Sequence, residues 1–90
     1  MEIKKVKIFG RVQGVGFRHF TVQNARRLDL RGWVMNMADG SVEALIAGAS
    51  EDVEKMLENL NEGPGAARVD RVESDSAEPD SLPDSFSVKR

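Results

Sequence analysis

The sequence contains no cysteine and a single histidine, His19. The first absence excludes a disulfide frame, a thiolate nucleophile and a sulfur-ligated metal centre. The second leaves no pair of imidazoles with which to build a two-histidine centre. No apolar run approaches the length of a membrane span, and Met1-Glu2-Ile3-Lys4-Lys5 lacks the apolar stretch of a signal peptide, so a cytoplasmic chain without membrane partners is expected. Proline is confined to Pro64, Pro79 and Pro83. Asp75, Asp80 and Asp84 lack the central glycine and terminal glutamate of a calcium loop, and no metal site is expected there.

What is present is ordinary for a folded globular chain: 40% hydrophobic and 31% charged residues, with a net charge of −2. Ninety residues are expected to form one domain, 1–90, with a thin stability margin. Charge is unevenly spread. Met1 to Asn36 holds eight Lys/Arg against Glu2 and Asp29, a net of +6, while the remainder holds five against thirteen acidic residues, a net of −8. That polarity suits either an anion held by the basic part or two differently charged solvated faces.

Lys4 to Val12 alternates, with Val6, Ile8, Gly10 and Val12 on one face and Lys5, Lys7, Phe9 and Arg11 on the other, which predicts a half-buried strand. Arg18 to Leu30 reads as a helix, with Val22, Ala25 and Leu28 at intervals of three and Arg26-Arg27 near its end. Gly32–Met37 and Ser41–Gly48 form two strands around the turn Ala38-Asp39-Gly40. A second helix follows. Ser50 is expected as its N-cap, Val53, Met56, Leu57 and Leu60 as its apolar face, and Gly63-Pro64 as its stop.

Ala67 to Glu73 predicts a fourth strand, in which Val69 and Val72 are three apart and so require either a bulge or a solvent-facing valine. Ser74 to Asp84 reads as a solvated acidic loop, and Phe86 to Lys89 as a short edge strand. The order βαββαβ, with a possible fifth strand, predicts an α+β ferredoxin-like split β-α-β sandwich. Its antiparallel sheet of four to five strands carries two helices on one face, and the first and third strands lie side by side in the middle. The other face offers Lys5, Lys7, Phe9 and Arg11 without the paired aromatics that stack bases, so nucleic acid is not expected as a partner.

Between the first strand and the first helix lies Gly10-Arg11-Val12-Gln13-Gly14-Val15-Gly16-Phe17-Arg18. Its glycines permit positive φ and let amide N–H groups converge on an anion, with Arg18 and the positive end of the helix dipole at the same spot. The loop alone also fits a tight strand-to-helix turn. It is neither a Walker loop, lacking the Lys-Ser/Thr ending, nor a dinucleotide fingerprint, given its uneven glycine spacing.

Together with Gly32-Trp33-Val34-Met35-Asn36, followed by Gly40, Val42 and Gly48, this loop resembles the paired signatures of the acylphosphatase family, in order and spacing from about Val6 to Arg71. The resemblance implies hydrolysis of a small-molecule acyl phosphate to a carboxylate and inorganic phosphate, with no cofactor and no metal. It implies that Gln13, Gly14, Val15, Gly16 and Phe17 surround the phosphate oxygens with backbone amides, that Arg18 holds the phosphoryl group, and that Asn36 orients the attacking water. His19 stands where the family often has Tyr or Trp, and its side chain is expected to leave the first helical turn away from the ligand. Trp33 is expected to pack rather than to hold substrate. A monomer is expected. The alternative is a non-catalytic phosphate- or carbamoyl-phosphate-binding module, like the acylphosphatase-like domain of carbamoyl-transferring maturation proteins.

Overall fold

Alternation puts Val6, Ile8 and Val12 on one side of the first strand, and all three are buried. The computed structural model, which covers residues 1–90, runs β1 (Glu2–Arg11), α1 (Phe17–Arg27), β2 (Arg31–Asn36), β3 (Val42–Gly48), α2 (Ser50–Glu62), β4 (Arg68–Ser76) and β5 (Phe86–Val88). The strands lie in the order β4-β1-β3-β2-β5, so β1 and β3 occupy the centre, as the split βαβ order requires. Phe17, Val22 and Ala25 of α1 and Val53, Met56 and Leu60 of α2 join the inward residues of the sheet in one core. This is the ferredoxin-like α+β sandwich.

Two local departures from the sequence reading, and the choice between its two alternatives for β4, have physical causes. The first helix stops at Arg27 rather than Leu30. Asp29 adopts φ 55, its N–H donates to the Arg26 carbonyl, and the Leu30 N–H donates back to the Ala25 carbonyl at 2.9 Å, a Schellman close that turns Leu30 into the core. Ser50 is not the cap of the second helix: Ala49 takes that position, and the Ser50 hydroxyl donates instead to Glu2 Oε2 at 3.1 Å. In β4, pairing steps from Phe9↔Arg71 to Gly10↔Val69, so Asp70 is the bulged residue. The bulge lets Val69 and Val72 both pack on the core.

The sheet is not antiparallel throughout. β5 pairs parallel to β2, from Gly32↔Phe86 to Val34↔Val88. The cause is the acidic segment, which is not simply a solvated loop. Ser74 to Ser76 extend β4, and residues 77–85 then carry the chain from one edge of the sheet to the other. They cross at the end where β4 finishes and β2 begins, so β5 starts there and runs with β2.

This strap lies over the face opposite the helices. Ala77 N–H donates to the Ile3 carbonyl, and Arg31 donates through Nε to the Pro83 carbonyl at 2.8 Å and through Nη2 to the Leu82 carbonyl at 3.3 Å. Leu45, on the strap side of β3, is consequently only 4% exposed. Beyond the strap, Lys5 and Lys7 pair with Glu43 and Asp39, and the Phe9 ring lies under Lys7 and Arg71.

Candidate functional site

Gly14 and Gly16 have φ 75 and 80, and a Cβ on either would meet nothing within 4 Å. Neither glycine is there to relieve crowding; what the site needs from them is left-handed backbone. Gly10 does the opposite job. A Cβ there would lie 2.1 Å from the Arg68 carbonyl oxygen, so it serves the close approach of β4 at the bulge. The nine-residue motif therefore divides into a packing glycine and two loop glycines.

The loop ends in a helix start with no side-chain cap. Gly16 is the N-cap, and no acidic residue occupies the first turn of α1. The first amides of a helix have no intrahelical acceptor, and no backbone carbonyl accepts from Gly14, Val15 or Gly16 either. Phe17, 1% exposed, anchors this end in the core, stabilising it by about 1.5–3 kcal/mol. The amides are thus held on a buried side chain while their N–H groups remain uncommitted.

Gly14, Gly16, Phe17, Arg18 and Asn36 line a single cavity of about 340 Å³. Asn36 reaches it from the last position of β2, where it pairs with Val42. Its Oδ1 is buried and accepts no hydrogen bond. An acceptor in that condition costs about 1–3 kcal/mol, the kind of local cost that clusters at functional sites. Arg18 forms no ion pair with any carboxylate, and no Asp or Glu lines the cavity. Its field is positive.

Gln13 and Val15 do not line the cavity, although their amides belong to the same loop. Gln13 instead directs its side-chain amide to the hairpin beside Asn36. His19, whose side chain was expected to leave the first helical turn away from the ligand, is an exposed residue at the rim of this cavity. Arg26 and Arg90 line it too. Arg26 could have been found, because Arg18, Val22 and Arg26 follow at i, i+4 and i+8 along one helix face; Arg90, beyond the last strand, carries no such pattern.

A larger cavity, about 670 Å³, lies under the strap. Trp33 lines it, half-buried on the face away from the core, with Lys89 Nζ 4.6 Å from its ring centroid. Its walls mix Lys5 and Lys89 with Glu78 and Asp80, and it contains none of the loop residues. Nowhere in the chain do three or more His, Asp or Glu side chains gather as metal ligands would. No helix is long and apolar enough to cross a membrane.

Comparison with known proteins agrees with this geometry. Residues 4–88 match the family model described as Acylphosphatase. A curated acylphosphatase of Rhizobium etli is 49% identical over 87 residues, 97% of this chain and 93% of that protein. Among solved structures, acylphosphatase from Bacillus subtilis superposes with a TM-score of 0.95 at 31% identity over the whole of both chains. T. kodakarensis HypF superposes at 0.88 and 35% identity, but the match covers 12% of that longer chain. The curated relative, matched over nearly its whole length, is an enzyme rather than a binding module. This chain belongs to the acylphosphatase family.

Proposed function

We propose that this acylphosphatase holds the phosphoryl group of its substrate in the backbone amides of Gln13 to Phe17 and the guanidinium of Arg18, and that Asn36 aims the attacking water. The observation that carries this reading is the convergence of the uncapped α1 start, Arg18 and Asn36, whose Oδ1 is buried and unpartnered, on one cavity lined by no Asp or Glu.

The chemistry follows from the substrate. An acyl phosphate is a mixed anhydride whose carboxylate is a weakly basic leaving group, so its expulsion needs no proton donor. The transition state spreads negative charge over three equatorial oxygens, which fixed amides and a planar, permanently charged guanidinium match. The Asn36 carboxamide hydrogen-bonds the attacking water and holds its oxygen in line with the breaking P–O bond, one of the two protons staying on that oxygen throughout. As that oxygen bonds to phosphorus, the P–O bond to the acyl group breaks, the electron pair leaves with the carboxylate, and the other water proton passes to a phosphoryl oxygen. The products are a carboxylate and inorganic phosphate. We read the enzyme as a cytoplasmic monomer whose phosphate site takes its residues from one chain.

Hydrolysis of benzoyl phosphate in excess EDTA tests the reading. Full activity with chelator, competitive inhibition by inorganic phosphate and a loss of at least ~10²-fold in kcat for Asn36→Ala are expected, the scale of a preorganised transition-state contact. Activity abolished by chelator would contradict it.

A further inference from the structure

The Gln13 side chain spans a gap that the backbone does not bridge. Its Nε2 donates to the Met37 carbonyl at 2.8 Å and to the Ser41 carbonyl at 2.9 Å. These carbonyls flank the turn of the β2–β3 hairpin, and Met37 directly follows Asn36. One carboxamide therefore joins the loop before Gly14 to the residue after Asn36. We propose that the Gln13 side chain is a positioning strut that fixes the separation between the phosphate-holding loop and the Asn36 carboxamide. This rests on the reading of Asn36 as the residue that orients water.

The fold does not need these two bonds. Within the hairpin, the Met37 carbonyl already accepts from Gly40 N–H at 3.1 Å, and the Ser41 carbonyl from Met37 N–H at 2.8 Å. Asp39 Oδ1 accepts from both the backbone N–H and the hydroxyl of Ser41, so the turn is braced from within. Removing Gln13 leaves no buried carbonyl orphaned, and the large cost of such a group does not arise. What is lost is a fixed distance. In-line attack tolerates little error there, since a displacement of about 1 Å can reduce a rate by roughly 10²-fold.

The side chain is distinct from the cradle: Gln13 does not line the cavity, and its amide group is committed to the hairpin. A strut acts on the placement of water more than on the hold on phosphate, and this separates it from a loop residue that grips the anion.

The test is a double-mutant cycle read by kcat and by the inhibition constant for inorganic phosphate. Gln13→Leu is expected to lower kcat by about 10-fold while the phosphate constant changes by less than about two-fold. Placed on Asn36→Ala, it is expected to cause almost no further loss, because a residue acting through Asn36 has nothing left to position. Gln13→Lys, which retains a donor able to reach both carbonyls, is expected to restore kcat to within about three-fold of the parent. Additional loss in the Asn36→Ala background as large as in the parent would overturn the strut while leaving the role of Asn36 intact. Asn36→Ala with unchanged kcat would overturn both. Gln13→Lys as impaired as Gln13→Leu would also contradict the strut, and this variant serves if Gln13→Leu does not fold.

Discussion

The two helices begin alike and are completed differently. Neither has a side-chain cap. At α2, Glu51 and Asp52 stand in the first turn and offset the positive end of the dipole, each by about 0.3–1 kcal/mol. At α1 no acid is present, and Arg18 and His19 occupy the same two positions of the turn, where a cation opposes the dipole. One start is completed within the chain; the other is left open, and the proposed reading fills it with the substrate's phosphoryl group. The difference teaches where to look for the ligand: a local stability rule is kept at α2 and broken at α1, and such breaks concentrate at functional sites.

The largest expected effect comes from removing the charge that opposes the dipole. Arg18→Ala should lower kcat/KM by about 10³-fold and weaken phosphate inhibition, the upper range for loss of one transition-state donor. Its melting temperature should stay level or rise. A stable fold with unimpaired turnover would erase the distinction between the two helix starts.

Giving α1 what α2 has should trade function for stability. His19→Glu places a carboxylate in the first turn beside the cavity, and should raise stability by about 0.3–1 kcal/mol in chemical denaturation. The same charge should repel the dianion and raise KM for benzoyl phosphate by roughly 10-fold. The converse change, Glu51→Gln with Asp52→Asn, should lower stability by about 0.3–1 kcal/mol per residue and leave kcat/KM unaltered.

Much of this contrast was legible in the chain, and the rest depended on distant contacts. The loop glycines, Arg18 and the apolar face of α2 announce themselves through local spacing. So did the two alternatives at Val69 and Val72, between which the bulge at Asp70 decided. The strap did not. Its acidic, proline-broken composition reads as solvated loop, and its course over Leu45 depends on Arg31 meeting the Pro83 and Leu82 carbonyls some fifty positions away. Trp33 was expected to pack, but what it packs under was not legible: it lies on the outer face of β2, which only the strap makes half-buried. Gln13 reads as one residue of a loop until the hairpin is folded beside it.

The smallest expected effect lies in the hairpin that carries Asn36. Hydrogen bonds from the Ser41 hydroxyl and backbone N–H, then Lys7, lower the Asp39 pKa from 3.8 to about 2. A carboxylate depressed in the folded state contributes stability above its unfolded pKa and loses it as pH falls through the folded value. The melting-temperature difference between parent and Asp39→Asn should therefore be full above about pH 4 and should close as pH falls towards 2. A difference that widened on acidification would contradict that assignment.

The most direct test of the central claim, that the open start of α1 is the phosphate cradle, is a titration of the ¹⁵N-labelled protein with inorganic phosphate, followed by amide chemical shifts. Saturable shifts should be largest from Gly14 to His19 and at the Asn36 side chain, with Glu51 to Val53 at the start of α2 unmoved. Largest shifts around Trp33 and residues 77–83 under the strap, or equal shifts at both helix starts, would contradict it.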